Sequence, residues 1–262
     1  MNTIIIAVAS VTAIGVICAI VLSVASKFMF VKTDERITLL SESLPGVNCG
    51  ACGYSGCAGF ASALISGEAK PNLCTPGGAE VLEKISAILG VDAGSIEQKT
   101  AIVFCSGDCN AQQKKMEYKG LQSCSAAKQL FGGESSCAFG CLGYGDCQTV
   151  CPSNAVCMLD SLARIKEQLC TGCGLCVKAC PNKIISMLDV KKSVFVLCKN
   201  IEKGAVTRKK CTRGCIACGK CVRECPNSAI FTEDNLAKID YDKCITCGHC
   251  VEICITKCIQ KK

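Results

Sequence analysis

Apolar positions are spread very unevenly along this chain. Thr3 to Val31 is almost wholly apolar, broken only by small polar residues and Lys27, and its uncharged core from Ile4 to Ser26 runs 23 residues. A helix needs roughly 20 such residues to cross a bilayer, so the pattern predicts a single transmembrane helix over residues 4–26. A cleaved export signal would carry a basic start and a shorter apolar run. Here the chain begins Met1-Asn2-Thr3, and bulky Ile17 precedes Cys18 where a lipoprotein cleavage site wants a small residue. Lys27, Lys32 and Arg36 follow the span, which places the remaining chain on the cytoplasmic side of the inner membrane.

The polarity then changes. Thr33 to Ser43 is polar, Leu44 to about Val91 reads as a compact unit, and Ala79 to Leu89 has the period of an amphipathic helix. Residues 92 to 135 lack a clear period. Beyond 137, short apolar stretches such as Ala155-Val156 and Ala229-Ile230 alternate with loops dense in Cys and Gly. The expected division is an anchor over 1–32, a small four-Cys domain over 33–91, a connecting segment over 92–136, and two modules over 137–197 and 198–262.

Cysteine changes the picture most. The chain has 28 Cys among 262 residues, with no Trp, 4 Tyr and 8 Phe. So few large core residues point to stability drawn from crosslinks or bound metal. Disulfides need an oxidising compartment and usually an export signal. Zinc sites favour two CxxC pairs across a spacer, whereas iron–sulfur clusters favour CxxCxxC followed by a Cys before Pro. The spacings match the last: Cys170, Cys173, Cys176 and Cys180-Pro181 form one full run, and Cys215, Cys218, Cys221 and Cys225-Pro226 another. A third, Cys244, Cys247, Cys250 and Cys254, lacks the proline, and Cys151-Pro152 closes a more widely spaced set.

These sets belong to an internal repeat. Cys137, Cys141, Cys147, Cys151, Cys170, Cys173, Cys176 and Cys180 each recur 74 residues later, and Cys124 and Gly140 map to Cys198 and Gly214 at the same offset. Two copies of one module follow. In two-cluster ferredoxins the fourth Cys of each run ligates the other cluster. That crossing pairs Cys137, Cys141 and Cys147 with Cys180, and Cys170, Cys173 and Cys176 with Cys151. In the second copy it pairs Cys215, Cys218 and Cys221 with Cys254, and Cys244, Cys247 and Cys250 with Cys225. Cys49, Cys52, Cys57 and Cys74 make a fifth set in the small domain.

Five [4Fe-4S] clusters result, with iron held by those Cys. Two choices stay open. Strict repeat equivalence makes Cys211 rather than Cys218 a ligand, although Cys218 completes the CxxCxxC run, and the missing proline leaves Cys254 and Cys258 as alternatives. Cys18, Cys105, Cys109, Cys124, Cys157, Cys198, Cys211 and Cys258 remain. Cys18 lies in the anchor, and the other seven read as buried thiols, or some of them as a sixth cluster site.

Other features narrow the reading. His249, the only histidine, sits between Cys247 and Cys250 and reads as a surface side chain. Lys199, Lys203, Arg208, Lys209, Lys210 and Arg213 either steer an acidic partner or compensate cluster charge. The formal charge of +7 becomes about −3 once five clusters of roughly −2 each are counted, so basicity supports no nucleic-acid partner. No GxGxxG opens a βαβ unit and no P-loop is present, which removes support for nucleotide chemistry. An electron relay without a catalytic site of its own fits what remains.

Several motifs together resemble the B subunit of Rnf-type ion-translocating ferredoxin:NAD oxidoreductase complexes. They are the apolar N-terminus, Leu44-Pro45-Gly46-Val47-Asn48-Cys49-Gly50-Ala51-Cys52-Gly53-Tyr54-Ser55-Gly56-Cys57, Cys74-Thr75-Pro76-Gly77-Gly78, and Gly140-Cys141-Leu142-Gly143-Tyr144-Gly145-Asp146-Cys147 with a second ferredoxin module after it. The resemblance runs along nearly the whole chain and is to the long form of that subunit. It implies an α+β chain that accepts electrons from soluble reduced ferredoxin and passes them to flavin- and cluster-bearing membrane subunits towards NAD. Ion pumping would belong to the assembled complex. Two other readings remain: a polyferredoxin serving a hydrogenase or a nitrogenase supply route, and an iron–sulfur redox sensor, for which no output module is visible.

Overall fold

The computed structural model describes residues 2–28, 34–91, 94–95 and 98–261. The side chains of residues 2–4, 7, 10, 27 and 28 lie outside the description, as do Lys32 and the 92–93 boundary between expected domains.

The first helix, α1, spans Asn2–Phe28. Every large apolar side chain described on it is exposed, from Ile5 through Ile14 to Leu22 and Val24. Among the described residues, no helix is long and apolar enough to cross a membrane. The expected span at 4–26 therefore stands here only as an exposed apolar helix.

Three helices build the small domain: α2 (Glu35–Ser43), α3 (Cys57–Ile65) and α4 (Gly78–Leu89). Asp34 caps α2 by accepting from the Arg36 amide, and Gly90 ends α4 in the left-handed conformation. Leu40, Phe60 and Ile85 fill the centre between the three helices, each almost fully buried.

The remaining chain is one topology used twice. The first copy begins with β1 (Lys99–Val103), inside the segment expected to be a connection. It continues with α5 (Cys124–Gln129), α6 (Asp146–Thr149), the hairpin β2 (Val156–Leu159) and β3 (Leu162–Ile165), α7 (Leu175–Ala179) and β4 (Ile185–Asp189). The second runs β5 (Val194–Val196), α8 (Gly204–Lys210), α9 (Lys220–Arg223), the hairpin β6 (Ile230–Glu233) and β7 (Leu236–Ile239), α10 (His249–Glu252) and β8 (Ile259–Lys261). In each copy the first strand pairs antiparallel with the last: Ala101 with Met187 in β1 and β4, Phe195 with Gln260 in β5 and β8. The hairpins match too. Asp160-Ser161 and Asp234-Asn235 all adopt positive φ, the two-residue turn whose twist suits paired strands.

Two small cores result. One holds Ala101, Val156, Leu162, Ile184 and Ile185, the other Val194, Ile230, Leu236, Cys258 and Ile259, and Cys side chains fill much of both. The segment between β1 and α6 reaches across to the second copy. Gln113 and Thr212 amides bond the carbonyls of Lys210 and Ala111 at 2.9 and 3.0 Å, and Arg213 pairs with Asp108 at 3.2 Å.

Candidate metal centres

All 28 cysteines are free thiols, and most are gathered in fours. In the small domain, the 48–56 loop turns through left-handed Asn48, Gly50 and Gly53 and delivers Cys49, Cys52 and Cys57. Asn48 Oδ1 accepts from the Cys57 amide at 2.8 Å, holding that loop to the start of α3. Cys74 closes the group. Burial, and then the nearness of Cys57, Cys52 and Cys49, raises its thiol above the ordinary range.

The two modules use crossed ligand runs. Gly145, Gly174, Gly219 and Gly248 each stand at positive φ just before a short helix, where a residue with a Cβ is strained. Each such turn lets successive thiols face one point. Cys170, Cys173 and Cys176 meet Cys151 in this way. Burial, then those three thiols, pushes Cys176 up to about 11. Cys244, Cys247 and Cys250 share a chamber with Cys225, and Cys250 is likewise pushed up to about 11. His249 borders that chamber, with Nε2 4.0 Å from the Glu224 carboxylate.

The remaining runs depart from expectation in one copy. Cys180 faces Cys141 and Cys147 as the crossing requires, but the fourth thiol of that chamber is Cys124, not Cys137. The Asp146 carboxylate brings Cys124 there. It accepts from the amides of Cys124 and Ser125 at 2.8 and 2.9 Å and from Ser123 Oγ at 3.0 Å, joining the start of α5 to the start of α6, which carries Cys147. Burial raises the Cys147 thiol to about 12, with Cys141 and Cys124 adding to it.

In the second copy Cys215, Cys218, Cys221, Cys254 and Cys258 line the matching chamber. The place of Cys124 at the head of the helix is taken by Gly204, whose added Cβ would lie 2.1 Å from the Ile216 carbonyl. The copies have exchanged a ligand position: Cys124 with Tyr144 and Asp146 in one, Gly204 with Cys218 and Lys220 in the other. A second correction follows. Cys198 is the counterpart not of Cys124 but of Cys105, since each lies two residues beyond the first strand of its copy.

Cys254 begins the same turn as Cys151, Cys180 and Cys225 despite the missing proline. Asn154, Lys183, Ser228 and Lys257 all have positive φ, and their amides bond the carbonyls of Cys151, Cys180, Cys225 and Cys254 at 3.0 to 3.3 Å. The turn is the same four times. Cys258 then stands where Ala155, Ile184 and Ala229 stand, and like them is about 2 % exposed or less. Its thiol lies 3.7 Å from Cys254 Sγ. It also donates towards Cys215, so Cys254 and Cys215 are lowered while Cys258 is raised.

This donor set fits [4Fe-4S] clusters. The thiols are soft and unpaired, and where burial dominates, as at Cys74, Cys147 and Cys176, it raises them, so a group that supplies iron is needed to hold four thiolates together. Among the described residues, no three His, Cys, Asp or Glu side chains are grouped tightly enough for a single metal ion.

Comparison with known proteins agrees. An Fe-S cluster family matches residues 44–76, an LdpA Fe-S cluster-binding domain 137–191, and 4Fe-4S dicluster domains 169–230 and 207–255. The B subunit of the Na(+)-translocating ferredoxin:NAD(+) oxidoreductase complex of Acetobacterium woodii is 41% identical over 99% of this chain and 78% of its own length. Its proton-translocating counterpart from Clostridium ljungdahlii is 42% identical over 98% and 91%. The B subunit of the ion-translocating oxidoreductase complex of Methanosarcina acetivorans is 36% identical over 94% of both chains. The chain belongs to this B-subunit family.

Other family members match over less. The B subunit from Rhodobacter capsulatus aligns with 38% of this chain. The long relatives span both modules, so the duplication is shared with them rather than private to this chain.

Of the twenty expected ligands, nineteen lie beside the partner thiols that spacing assigns them, while Cys137 lines a different chamber from Cys141, Cys147 and Cys180. Cys124, which lines that chamber instead, lies 17 and 23 residues from Cys141 and Cys147, beyond any local spacing rule. The signal available was the gap itself: Tyr144 sits where the second copy has Cys218.

Proposed function

We propose that this chain is the electron-input and relay subunit of a membrane complex that oxidises reduced ferredoxin and delivers electrons, through flavin- and cluster-bearing partners, towards NAD. The observation that carries the reading is the crossed arrangement of Cys quartets in both modules. Cys180 leaves the loop of one quartet to join the next, and Cys151 does the reverse, so neighbouring quartets share a backbone frame.

When bound, each cluster takes up and gives back one electron. The chain does the rest. It buries the sulfurs, and it aims amide donors at them, as from Ala155 to Cys151 and from Ala229 to Cys225, both at 3.3 Å. Such bonds and solvent exclusion set the potentials. Cys49, Cys52, Cys57 and Cys74 would hold the cluster nearest the anchor. The small domain meets the first module there, with Lys178 Nζ 3.0 Å from the Cys49 carbonyl and Thr75 Oγ1 3.4 Å from that of Gly172.

The helix α1 is read as the membrane anchor. Its 27 residues extend about 40 Å at 1.5 Å each, more than the roughly 30 Å of hydrocarbon. The positive residues after it in the sequence support a cytoplasmic side for the clusters.

The test uses the full chain, purified anaerobically in detergent and mixed with reduced ferredoxin in a stopped-flow instrument. Rapid loss of cluster absorbance, slowed by salt, is expected. Reduction by dithionite but not by ferredoxin would instead favour a relay in another membrane complex.

A further inference from the structure

Cys137, displaced from its expected quartet, does not stand alone. It lines a separate chamber with Cys105, Cys198 and Cys211, all four from outside the five quartets described above. Cys105, Cys137 and Cys211 are each less than 9 % exposed. The chamber and its mouth together hold about 300 Å³ of non-protein space, against about 350, 390 and 350 Å³ for three ferredoxin-type chambers with theirs. Its size is theirs.

Its construction is two-fold. Each module supplies the Cys that follows its first strand, Cys105 after β1 and Cys198 after β5. Each also supplies the first Cys of a Cys-x-x-Gly-Cys turn, Cys137 or Cys211. The amides of Cys141 and Cys215 donate to Cys105 Sγ and Cys198 Sγ, both at 3.4 Å, and buried Asn200 Nδ2 points at Cys137 Sγ at 3.7 Å. The quartets at Cys151 and Cys225 carry the same kind of N–H···S bond. Gly107 lies against the chamber wall, where an added Cβ would come within 3.0 Å of Cys211 Sγ.

Position adds the reason. Each five-residue turn joins this chamber to a neighbour: Cys137 lies in it and Cys141 in the next quartet of the first module, Cys211 in it and Cys215 in the next quartet of the second. Without it, the module quartets fall into two pairs, one in each half of the duplicated region. With it, the two pairs are linked through the shared turns 137–141 and 211–215.

We propose that Cys105, Cys137, Cys198 and Cys211 hold a sixth [4Fe-4S] cluster that joins the cluster pairs of the two modules into one continuous electron path. The step it adds is a one-electron exchange between neighbouring quartets, in which the donor loses one electron, the acceptor gains it, and no bond or proton moves. The proposal rests on the reading of the other quartets as cluster sites. Four thiols around one zinc would have to converge to about 3.8 Å from one another, given Zn–S bonds of about 2.3 Å, and no such tight grouping is present among the described residues.

The experiment is an iron, sulfide and zinc count with Mössbauer spectroscopy on the full-length chain, reconstituted anaerobically with iron and sulfide. About 24 iron atoms per chain are expected, four for each of six clusters. The Cys105→Ala/Cys211→Ala double variant should hold about 20, and Cys109→Ala should be unchanged. If the double variant does not fold, Cys211→Ser replaces it, with the expected appearance of a three-iron EPR signal. A count near 20 in the unaltered chain, or 20 iron with one zinc, overturns the proposal. The count needs no ferredoxin, so a chain with 24 iron that ferredoxin cannot reduce would sink the input role and leave the sixth cluster standing.

Discussion

The Cys215 amide donates to Cys198 Sγ at 3.4 Å, and this one bond ties the ligand loop of one quartet to a thiol of another. The same bond recurs in the first copy between Cys141 and Cys105. Adjacent Cys quartets are thereby built on shared backbone.

The ligand exchange between the copies predicts opposite results for two neighbouring cysteines. Cys124→Ala should disturb the cluster held by Cys141, Cys147 and Cys180, while Cys137→Ala should leave that cluster's spectrum intact. Mössbauer or EPR spectra of each variant decide it. Loss of the same signal in both would return Cys137 to the Cys141 quartet.

Asp146 is expected to matter as a positioning residue. Partial burial works to raise its carboxyl, but the amides of Ser125 and Cys124 outweigh that and hold it below its ordinary value. A carboxyl lowered in the fold stabilises above its unfolded value and loses that stabilisation as pH falls through the folded one, so the contribution of the clamp on α5 should shrink as pH falls below about 4 and be gone below the still lower folded value. Asp146→Ala should cost about 1–3 kcal/mol and loosen Cys124. A denaturant titration of the loaded chain, with Asp146→Asn as the conservative comparison, measures both.

Ile255 stands where the other three turns carry proline and is largely exposed. Its amide has no backbone acceptor among the described hydrogen bonds. Ile255→Pro should therefore stabilise the second module by about 0.4–1 kcal/mol, mainly by restricting the unfolded chain. A lower denaturant midpoint would show that this turn differs from those at Pro152, Pro181 and Pro226.

Phe60 anchors the small domain against Leu40 and Ile85. Phe60→Ala should cost about 3–5 kcal/mol and release the cluster held by Cys49, Cys52, Cys57 and Cys74. The modules, with cores of their own, should keep their clusters. The iron lost on mild warming, about four atoms or many more, distinguishes local from general collapse.

Iron removal should unfold residues 137–262, because Cys side chains fill much of both module cores. Reloading at neutral pH should release protons, since burial raises thiols such as Cys176 and Cys221 to about 11 and ligands bind as thiolates. Far-ultraviolet circular dichroism during chelation, and a pH indicator during reconstitution, report the two effects. An unchanged dichroism spectrum after chelation would refute the first.

Much of this protein was legible from spacing alone. Two-residue intervals between Cys place three sulfurs on one tight loop, so the expected ligand loops at 170–176, 215–221 and 244–250 could be read locally. The 74-residue offset exposed the duplication, and the Rnf-type motifs pointed to the family. The apolar stretch of 4–26 was likewise visible as composition. Other relationships are not written in any interval. Cys124 joins Cys141 because Asp146 holds the head of α5 there, and Cys105, Cys137, Cys198 and Cys211 meet because two strand ends and two turns from different copies pack face to face. Only the tertiary structure decides such groupings, because a sulfur's partners are set by which backbone segments approach in space, and a buried thiol and a cluster ligand look identical in the sequence.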